Sequence, residues 1–241
     1  DEFFVHGAQQ LVGHGASARV SGRPPDEHAW YPFADMEAGT QLDDANPLWS
    51  MLRPLTDYMA RCQAVLQRGH AVVPVAVLAP LDLFAFMGAA DALTPPPWHD
   101  ALLDAGLDWD WINADALLKG RLDGQVLVTP GGHRYRALLL PELPALRAEV
   151  ADVLAACAAA GLPVRAVGSK PSREEGWLDA AVRDERVRAA MAAVPAVAVS
   201  ADAMPADMAR ARDAGFQDYW VKPIDVHRLR MDLLRILSPA A

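Results

Sequence analysis

The sequence predicts an α/β fold in which helices flank a mostly parallel sheet, with an irregular N-terminal segment before it. Short apolar runs alternate with helical stripes from residue 54 onward, and this alternation is typical of parallel sheets that are covered on both faces. A strand over 135–140, a helix ending at Gly161 and a strand over 163–167 indicate a βαβ unit, which favours a right-handed crossover.

The composition supports a globular protein and excludes two classes of partner. The 241 residues are 52% hydrophobic, which is enough for one large or two small domains. The formal charge of −9 argues against nucleic acid or an anionic membrane as the main partner, because both require a basic surface. No apolar run is long enough to cross a bilayer. We therefore expect a soluble protein in the cytoplasm.

The cysteines and histidines do not form a recognisable site. Cys62 and Cys157 each fall on the apolar stripe of a predicted helix, where a thiol commonly serves as a small apolar side chain. The seven histidines are scattered without the spacing of metal ligands. We therefore expect no metal ion and no cofactor.

The first third of the chain predicts one clear helix and one clear strand. Residues 1–46 are rich in glycine, proline and acidic side chains and indicate loop, apart from a strand around 10–12. Apolar side chains then recur at helical spacing from residue 55 to 66, and Gly69 stands where helices commonly end. The valine-rich run 72–78 predicts a buried strand, although its proline cannot donate a strand hydrogen bond.

The rest of the chain predicts strands and helices in alternation. We expect further strands over 109–113 and 125–129, and a helix over 178–192. The tail follows as strand, helix, strand and helix over 196–199, 205–214, 219–221 and 226–237. Two strands alone make too small a sheet, so we expect the strands of the tail to pair with the upstream βαβ unit.

The tail resembles a known family in two stretches. VAVSADAMP at 197–205 and AGFQDYWVKPID at 214–225 are similar to the second half of a response-regulator receiver domain, which has a flavodoxin-like fold. The resemblance implies that Ser200 and Lys222, the latter before a cis proline, contact a phosphoryl group and that Tyr219 is the switch aromatic. It also implies a protein partner on the face formed by the fourth helix, fifth strand and fifth helix of that family.

The acidic residues that a phosphoryl site requires do not stand where we expect them. The acceptor should end the strand before the one that carries Ser200, within 163–175, and this window contains one lysine and two glutamates but no aspartate. Asp179 and Asp184 are too close to Ser200, because a helix and a strand must intervene. Asp123 precedes a strand instead of ending one. Since Mg²⁺ would have too few oxygen ligands, we predict that this chain alone is not a phospho-switch.

The body of the chain resembles a second family over about residues 1–185. The resemblance is carried by His14-Gly15, the segment 47–69, LDWDWINADALL at 107–118 and YRALLLP at 135–141. These are similar to family 106 glycoside hydrolases, the α-L-rhamnosidase-like enzymes. In those large proteins such segments run from the end of a catalytic (β/α)₈ barrel into an α/β domain of amidotransferase-like shape. Because a barrel needs about 250 residues, we expect most of any active site to be absent.

Three residues are candidate sugar contacts. Trp109 and Trp111 stack on a sugar ring in one interpretation, and are buried on one face of an alternating strand in the other. His14 is a candidate polar group at the end of a barrel strand, or part of a turn. Glycoside hydrolysis usually requires two carboxylates about 5–9.5 Å apart, and we interpret the acidic residues at 35–44 as solvated loop charges.

These features predict three segments: an irregular one over 1–48, the candidate end of a glycosidase barrel; an amidotransferase-like α/β domain over 49–190; and a receiver-like half over 191–241. The favoured function is a composite or truncated protein without a complete catalytic centre, which is not an enzyme by itself. Two alternatives stay open. One is a sugar-binding or hydrolytic fragment of an α-L-rhamnosidase-like enzyme, and the other is a response regulator of a phosphorelay.

Overall fold

A computed structural model describes the chain over residues 2–5, 7–12, 48–79, 98–202 and 204–237. The expectations for His14 and for the acidic residues at 35–44 lie outside this part of the chain. The chain divides into two compact units, residues 1–70 and 71–241.

The first unit contains the predicted helix. Its described residues form a short helix, α1 (Glu2–Val5), and a long one, α2 (Trp49–Leu66). The helical stripe from residue 55 is confirmed, and α2 begins earlier than predicted. Gly69 follows it with a φ of +95°, a conformation that glycine adopts without the steric cost of a Cβ atom.

Residues 9–11 hydrogen-bond to side chains of α2 and the residue after it, and they do not form the predicted strand at 10–12. The Leu11 amide donates to Gln63 Oε1 over 2.6 Å, and Gln67 Nε2 donates to the Gln9 carbonyl oxygen over 3.2 Å. The apolar residues of this short stretch indicated a strand, but its backbone groups bond to helix side chains instead of a neighbouring strand. The strand prediction was therefore wrong.

The second unit contains two sheets and six helices among its described residues. The strands are β1 (Val75–Leu78), β2 (Trp109–Ile112), β3 (Arg121–Asp123), β4 (Val126–Val128), β5 (Arg134–Tyr135), β6 (Ala137–Leu140), β7 (Val164–Val167), β8 (Ala196–Ser200) and β9 (Asp218–Val221). The helices are α3 (His99–Asp104), α4 (Ala114–Leu118), α5 (Ala148–Ala159), α6 (Ala180–Ala192), α7 (Pro205–Asp213) and α8 (Val226–Leu237). The main sheet is parallel in the order β2-β1-β6-β7-β8-β9, which confirms the predicted fold class.

The strands of the tail complete this main sheet, as expected. Ala196 of β8 pairs with Ala166 of β7, and β9 pairs with β8 along its whole length. The β6-α5-β7 unit provides the strand on which the tail docks. A two-strand fragment thereby gains the additional strands that a stable sheet requires.

Proline sets the start of β1. The predicted run 72–78 becomes a strand only over Val75–Leu78, whose four side chains are buried. Pro74 lies just before it, and its carbonyl oxygen accepts from the amides of Arg136 and Ala137 over 2.7 and 3.2 Å. Because Pro74 precedes the strand, its lack of an N–H group removes no hydrogen bond from the ladder. Its carbonyl oxygen still bonds to the start of β6.

The main sheet is covered by two apolar layers. One layer packs α4, α5 and α6 on the face that carries Leu138 and Leu140 of β6. The other packs α3 and α8 on the face that carries Ala137 and Leu139. Side chains alternate between the faces of a strand, so a continuous apolar run such as β6 supplies both layers.

A small antiparallel sheet, in the order β3-β4-β5, was not predicted as a separate unit. The predicted strand over 125–129 belongs to it, and the predicted strand over 135–140 is divided between the two sheets at Arg136. Two glycines explain the tight reversals: Gly124, between β3 and β4, and Gly132, between β4 and β5, have φ of +61° and +84°.

Candidate functional site

Polar residues follow neighbouring strands at the carboxyl edge of the main sheet. Glu142 follows β6, Gly168 and Ser169 follow β7, Ser200 ends β8 and Lys222 follows β9. We call these five residues the strand-end site. Ligands of open parallel sheets bind outside this edge, where the strand order reverses. In this sheet β2 lies on one side of β1, and β6 and the later strands lie on the other side. The strand order therefore reverses between β1 and β6.

Ser200 and Lys222 lie at adjacent strand ends within this site. The Lys222 amide donates to the Ser200 carbonyl oxygen over 2.7 Å, and the Ser200 hydroxyl accepts from the Asp202 amide over 3.1 Å. The peptide bond between Lys222 and Pro223 is cis. Because Lys222 is exposed, its ammonium group is available to an anion from solvent.

Tyr219 connects β9 to the loop that follows β8. Its ring is buried, and its hydroxyl group donates to the Asp202 carbonyl oxygen over 2.7 Å. The next residue, Trp220, lies on the opposite face and donates from Nε1 to the Asp232 carboxylate on α8 over 3.3 Å. The two aromatic residues therefore fix the edge strand to both sides of the sheet.

Glu174, in the segment after β7, stabilises helix packing. Its side chain is only 3% exposed, and its Oε2 atom accepts from the Ala148 amide over 2.7 Å and lies 3.1 Å from Arg183 Nε. The Glu174 amide donates to the Asp184 carboxylate over 2.7 Å. The buried carboxylate thus satisfies an amide at the start of α5 and pairs with α6.

Lys170 lies in the same segment and also has a structural contact. Its Nζ donates to the Met191 carbonyl oxygen over 3.0 Å, near the end of α6. Burial lowers the pKa of the Lys170 amine. A cation close to the last carbonyl groups of a helix is favourable, so this lysine secures the segment after β7.

Glu142 was missed in the sequence analysis. A Cβ atom at Gly168 would lie 2.9 Å from Glu142 Oε2 and 3.0 Å from Glu142 Cβ, so the glutamate extends across the end of β7. No hydrogen bond or ion pair joins Glu142 to another described residue. The signal that would have identified Glu142 is the strand order, because it places β6 between β1 and β7 at the reversal point.

Trp109 and Trp111 lie on the opposite sheet face from Asp110. Both indoles pack, partly buried, against the apolar layer of α3 and α8, and their ring centroids are 4.9 Å apart in an edge contact. Asp110 accepts from the Tyr135 hydroxyl over 3.0 Å, and burial, together with the Asp110 charge, raises the pKa of Tyr135. Because side chains alternate along β2, one sugar ring cannot contact both indoles and Asp110.

Comparison with known families identifies the chain. The family model of glycoside hydrolase 106, α-L-rhamnosidase, matches residues 1–200. The chain belongs to this family. The match extends through β8, further than the segment 1–185 that carries the resemblance in the sequence. A protein from Formosa agariphila named for β-glucuronidase activity is 27% identical over 135 residues, which are 56% of this chain and 11% of that protein.

Several solved structures have limited similarity to this chain. A rhamnosidase from Novosphingobium has 25% identity over 66% of this chain and 14% of its own, with a TM-score of 0.44. A chemotaxis protein from Vibrio cholerae has 14% identity over 69% of this chain and 99% of its own, with a TM-score of 0.26. The receiver domain of a sensor histidine kinase from Pseudomonas aeruginosa has 17% identity over 69% of this chain and 98% of its own, with a TM-score of 0.27.

Neither a metal site nor a membrane-spanning helix is found in the part of the chain that the structure describes. There, no three histidine, cysteine or acidic side chains are grouped so that they could hold a metal ion. None of the described helices combines the length and the apolar character that crossing a membrane requires.

Proposed function

We propose that the chain is a composite α/β protein without a complete catalytic centre. In it, an accessory region of the rhamnosidase family continues into a receiver-like half that lacks a phosphoacceptor. The observation that supports this most directly is the end of β7. This strand lies between β6 and β8, beside Ser200, and it is followed by Gly168 and Ser169 instead of a carboxylate.

The nearby carboxylates support the same proposal. Glu174 is buried, and it is hydrogen-bonded to α5 and paired with α6. Glu142 stands one strand away, at the end of β6, and is a single carboxylate. Phosphoryl transfer to an aspartate needs that acceptor, and Mg²⁺ needs several oxygen ligands. A hydroxyl and an ammonium at Ser200 and Lys222 do not supply these groups.

For the rhamnosidase-family region we propose carbohydrate binding. The chain spans 11% of the Formosa protein and 14% of the Novosphingobium rhamnosidase, so we propose sugar binding for this region and not the hydrolytic activity of a whole enzyme. His14, Trp109 and Trp111 remain candidate sugar contacts. We also propose that the chain is organised as an irregular segment over 1–48, an amidotransferase-like domain over 49–190 and a receiver-like half over 191–241. We further propose that it is located in the cytoplasm.

A second candidate function is binding of a protein partner at the open edge beside β9. Here a groove is formed by α7, β9 and the start of α8, with Met208, Ala211 and Phe216 as apolar lining. Arg212 and Arg228 also line it, and Arg228 lies 3.4 Å from Asp218. An apolar surface bordered by arginines favours an acidic segment with an apolar anchor. Charge reversal at Arg212 should therefore weaken the binding of such a peptide, measured by fluorescence anisotropy.

Turnover of an aryl α-L-rhamnoside tests the main proposal. The full chain should release no more aryl alcohol than a heat-unfolded sample of the same concentration. Saturable turnover that follows Michaelis–Menten kinetics would show a complete hydrolytic centre and overturn the proposal.

A further inference from the structure

Three large apolar side chains are exposed to solvent near the start of α6. Trp177, Leu178 and Val182 are 91%, 80% and 73% exposed and lie within six residues of one another. We call these three residues the anchor surface. A group of exposed apolar side chains commonly marks a site of association with another protein.

The chain holds the anchor surface in a fixed conformation. Glu174 precedes it, and the buried Glu174 carboxylate accepts from the Ala148 amide over 2.7 Å and pairs with Arg183 at 3.1 Å. Asp179 has a φ of +52°, and its carbonyl oxygen accepts from the amides of Val182 and Arg183 over 3.0 Å each. A surface that is ordered before it binds loses less conformational entropy on association.

The anchor surface and the groove beside β9 have complementary charges. Glu175 and Asp179 flank the exposed apolar residues, and the Asp179 carboxylate has no hydrogen bond or ion pair with another described residue. In the groove, Arg228 is paired with Asp218 at 3.4 Å, whereas Arg212 is exposed and has no described partner. An acidic surface with apolar anchors therefore matches an apolar groove that carries a free guanidinium group.

We infer that the anchor surface of one copy of the chain packs into the groove of a second copy, with Leu178 against the apolar lining and Trp177 over the Arg212 guanidinium. This inference rests on the proposed binding of an acidic segment at the groove, and it names that segment. Trp177 is almost fully exposed, so the contact is not made within one molecule.

The geometry of the contact determines the kind of association. Two different surfaces meet, so the contact is head-to-tail and can continue from one copy to the next. The three apolar side chains bury roughly 400 Å² on one copy, which places the contact below the standard interface of about 1,600 Å². We therefore expect a weak association that depends on the protein concentration and, because of its ion pairs, decreases with added salt.

Sedimentation equilibrium of the full chain over a series of concentrations tests the inference. The average mass should rise with concentration. Trp177→Ala and Arg212→Glu should each weaken the association at least about tenfold. A mixture of these two variants should associate again, because one retains the groove and the other retains the anchor surface. Both side chains are exposed, so circular dichroism should show that both variants remain folded.

Two further variants control for the loss of an exposed apolar side chain and for the change of charge. Val72 is 90% exposed and lies outside both surfaces, and Arg121 is exposed on β3. Val72→Ala and Arg121→Glu should associate like the unchanged chain.

The outcomes separate this inference from the proposed function of the groove. Association that persists in both variants, or that their mixture does not restore, would overturn the inference, as would a single-chain mass up to about 1 mM. Fluorescence anisotropy of a labelled acidic peptide with a central phenylalanine then distinguishes two failures. Peptide binding that Arg212→Glu weakens would leave the groove as a site for another protein. Without any peptide binding, both the inference and the proposed groove function would be wrong.

Discussion

Two glutamates that follow neighbouring strands of the main sheet have opposite environments. Glu174, in the segment after β7, is 3% exposed, accepts hydrogen bonds and pairs with Arg183 at 3.1 Å. Glu142, after β6, is exposed and has no described hydrogen bond or ion pair. A carboxylate is removed from water only when protein groups replace the lost hydration. The difference therefore distinguishes an acid that stabilises the fold from one that remains available to a ligand.

The largest expected effect on stability comes from removing the carboxylate of the buried acid, Glu174. Glu174→Ala leaves the Ala148 amide without its acceptor and Arg183 with Glu149 as its remaining carboxylate partner, so the free energy of unfolding should fall by about 2–4 kcal/mol. Urea unfolding followed by circular dichroism measures this change. Glu185→Ala is the matched control on α6, because Glu185 is exposed and its pair with Arg188 should contribute at most about 0.5 kcal/mol. Equal losses in the two variants would remove the distinction between buried and exposed acids.

Loss of the hydrogen bond to Asp110, an acid that is only partly buried, should lower the free energy of unfolding by an intermediate amount. Tyr135→Phe removes the hydroxyl group that donates to Asp110 over 3.0 Å, and we expect a loss of about 1–2 kcal/mol, because the bond is to a charged acceptor. Tyr219→Phe removes a bond to the neutral Asp202 carbonyl group and should cost less. The two urea unfolding midpoints can be compared directly, and a larger loss in Tyr219→Phe would contradict this ranking.

The third expected effect is on the pH dependence of stability. A hydrogen bond from its own backbone and the neighbouring Arg183 lower the pKa of Glu149. Because the folded pKa lies below the unfolded value, the stabilisation is present above the ordinary glutamate pKa and is lost as pH falls through the folded pKa. Glu149→Gln should therefore reduce the acid-induced fall in melting temperature. Identical pH profiles for the variant and the unchanged chain would contradict the effect of Glu149.

The smallest effect is expected for the free acid itself. Glu142→Gln breaks no described contact, so the free energy of unfolding should change by no more than about 0.5 kcal/mol. Chemical denaturation at neutral pH provides the measurement. A loss similar to that of Glu174→Ala would show that Glu142 stabilises the fold and would contradict the difference between the two glutamates.

Much of the main sheet was predictable because its strands have a clear local signal. The apolar run of β6, the helical stripe of α5 and the glycine after that helix predicted the βαβ unit, and the structure confirms it. The tail strands β8 and β9 were also predicted at nearly their observed bounds. Fully buried parallel strands produce continuous apolar runs, which a sequence shows directly.

The site was less predictable because it depends on which strands become neighbours. Ser200 and Lys222 were identified from the motifs around them, whereas Glu142 stands in no motif. It becomes a site residue only because β6 is inserted between β1 and β7, and because Gly168 leaves room for its carboxylate. The small sheet was missed for a related reason, since Arg136 lies inside an apolar run that gave no sign of a change of sheet.

The absence of a phosphoacceptor beside Ser200 is the claim on which the composite function depends most. Its most direct test is incubation of the full chain with acetyl phosphate and Mg²⁺, followed by intact-mass spectrometry. We predict no covalent phosphoryl group, because Gly168 and Ser169, and not a carboxylate, follow β7. A mass gain of one phosphoryl group that hydroxylamine removes would show an acyl phosphate and contradict the account.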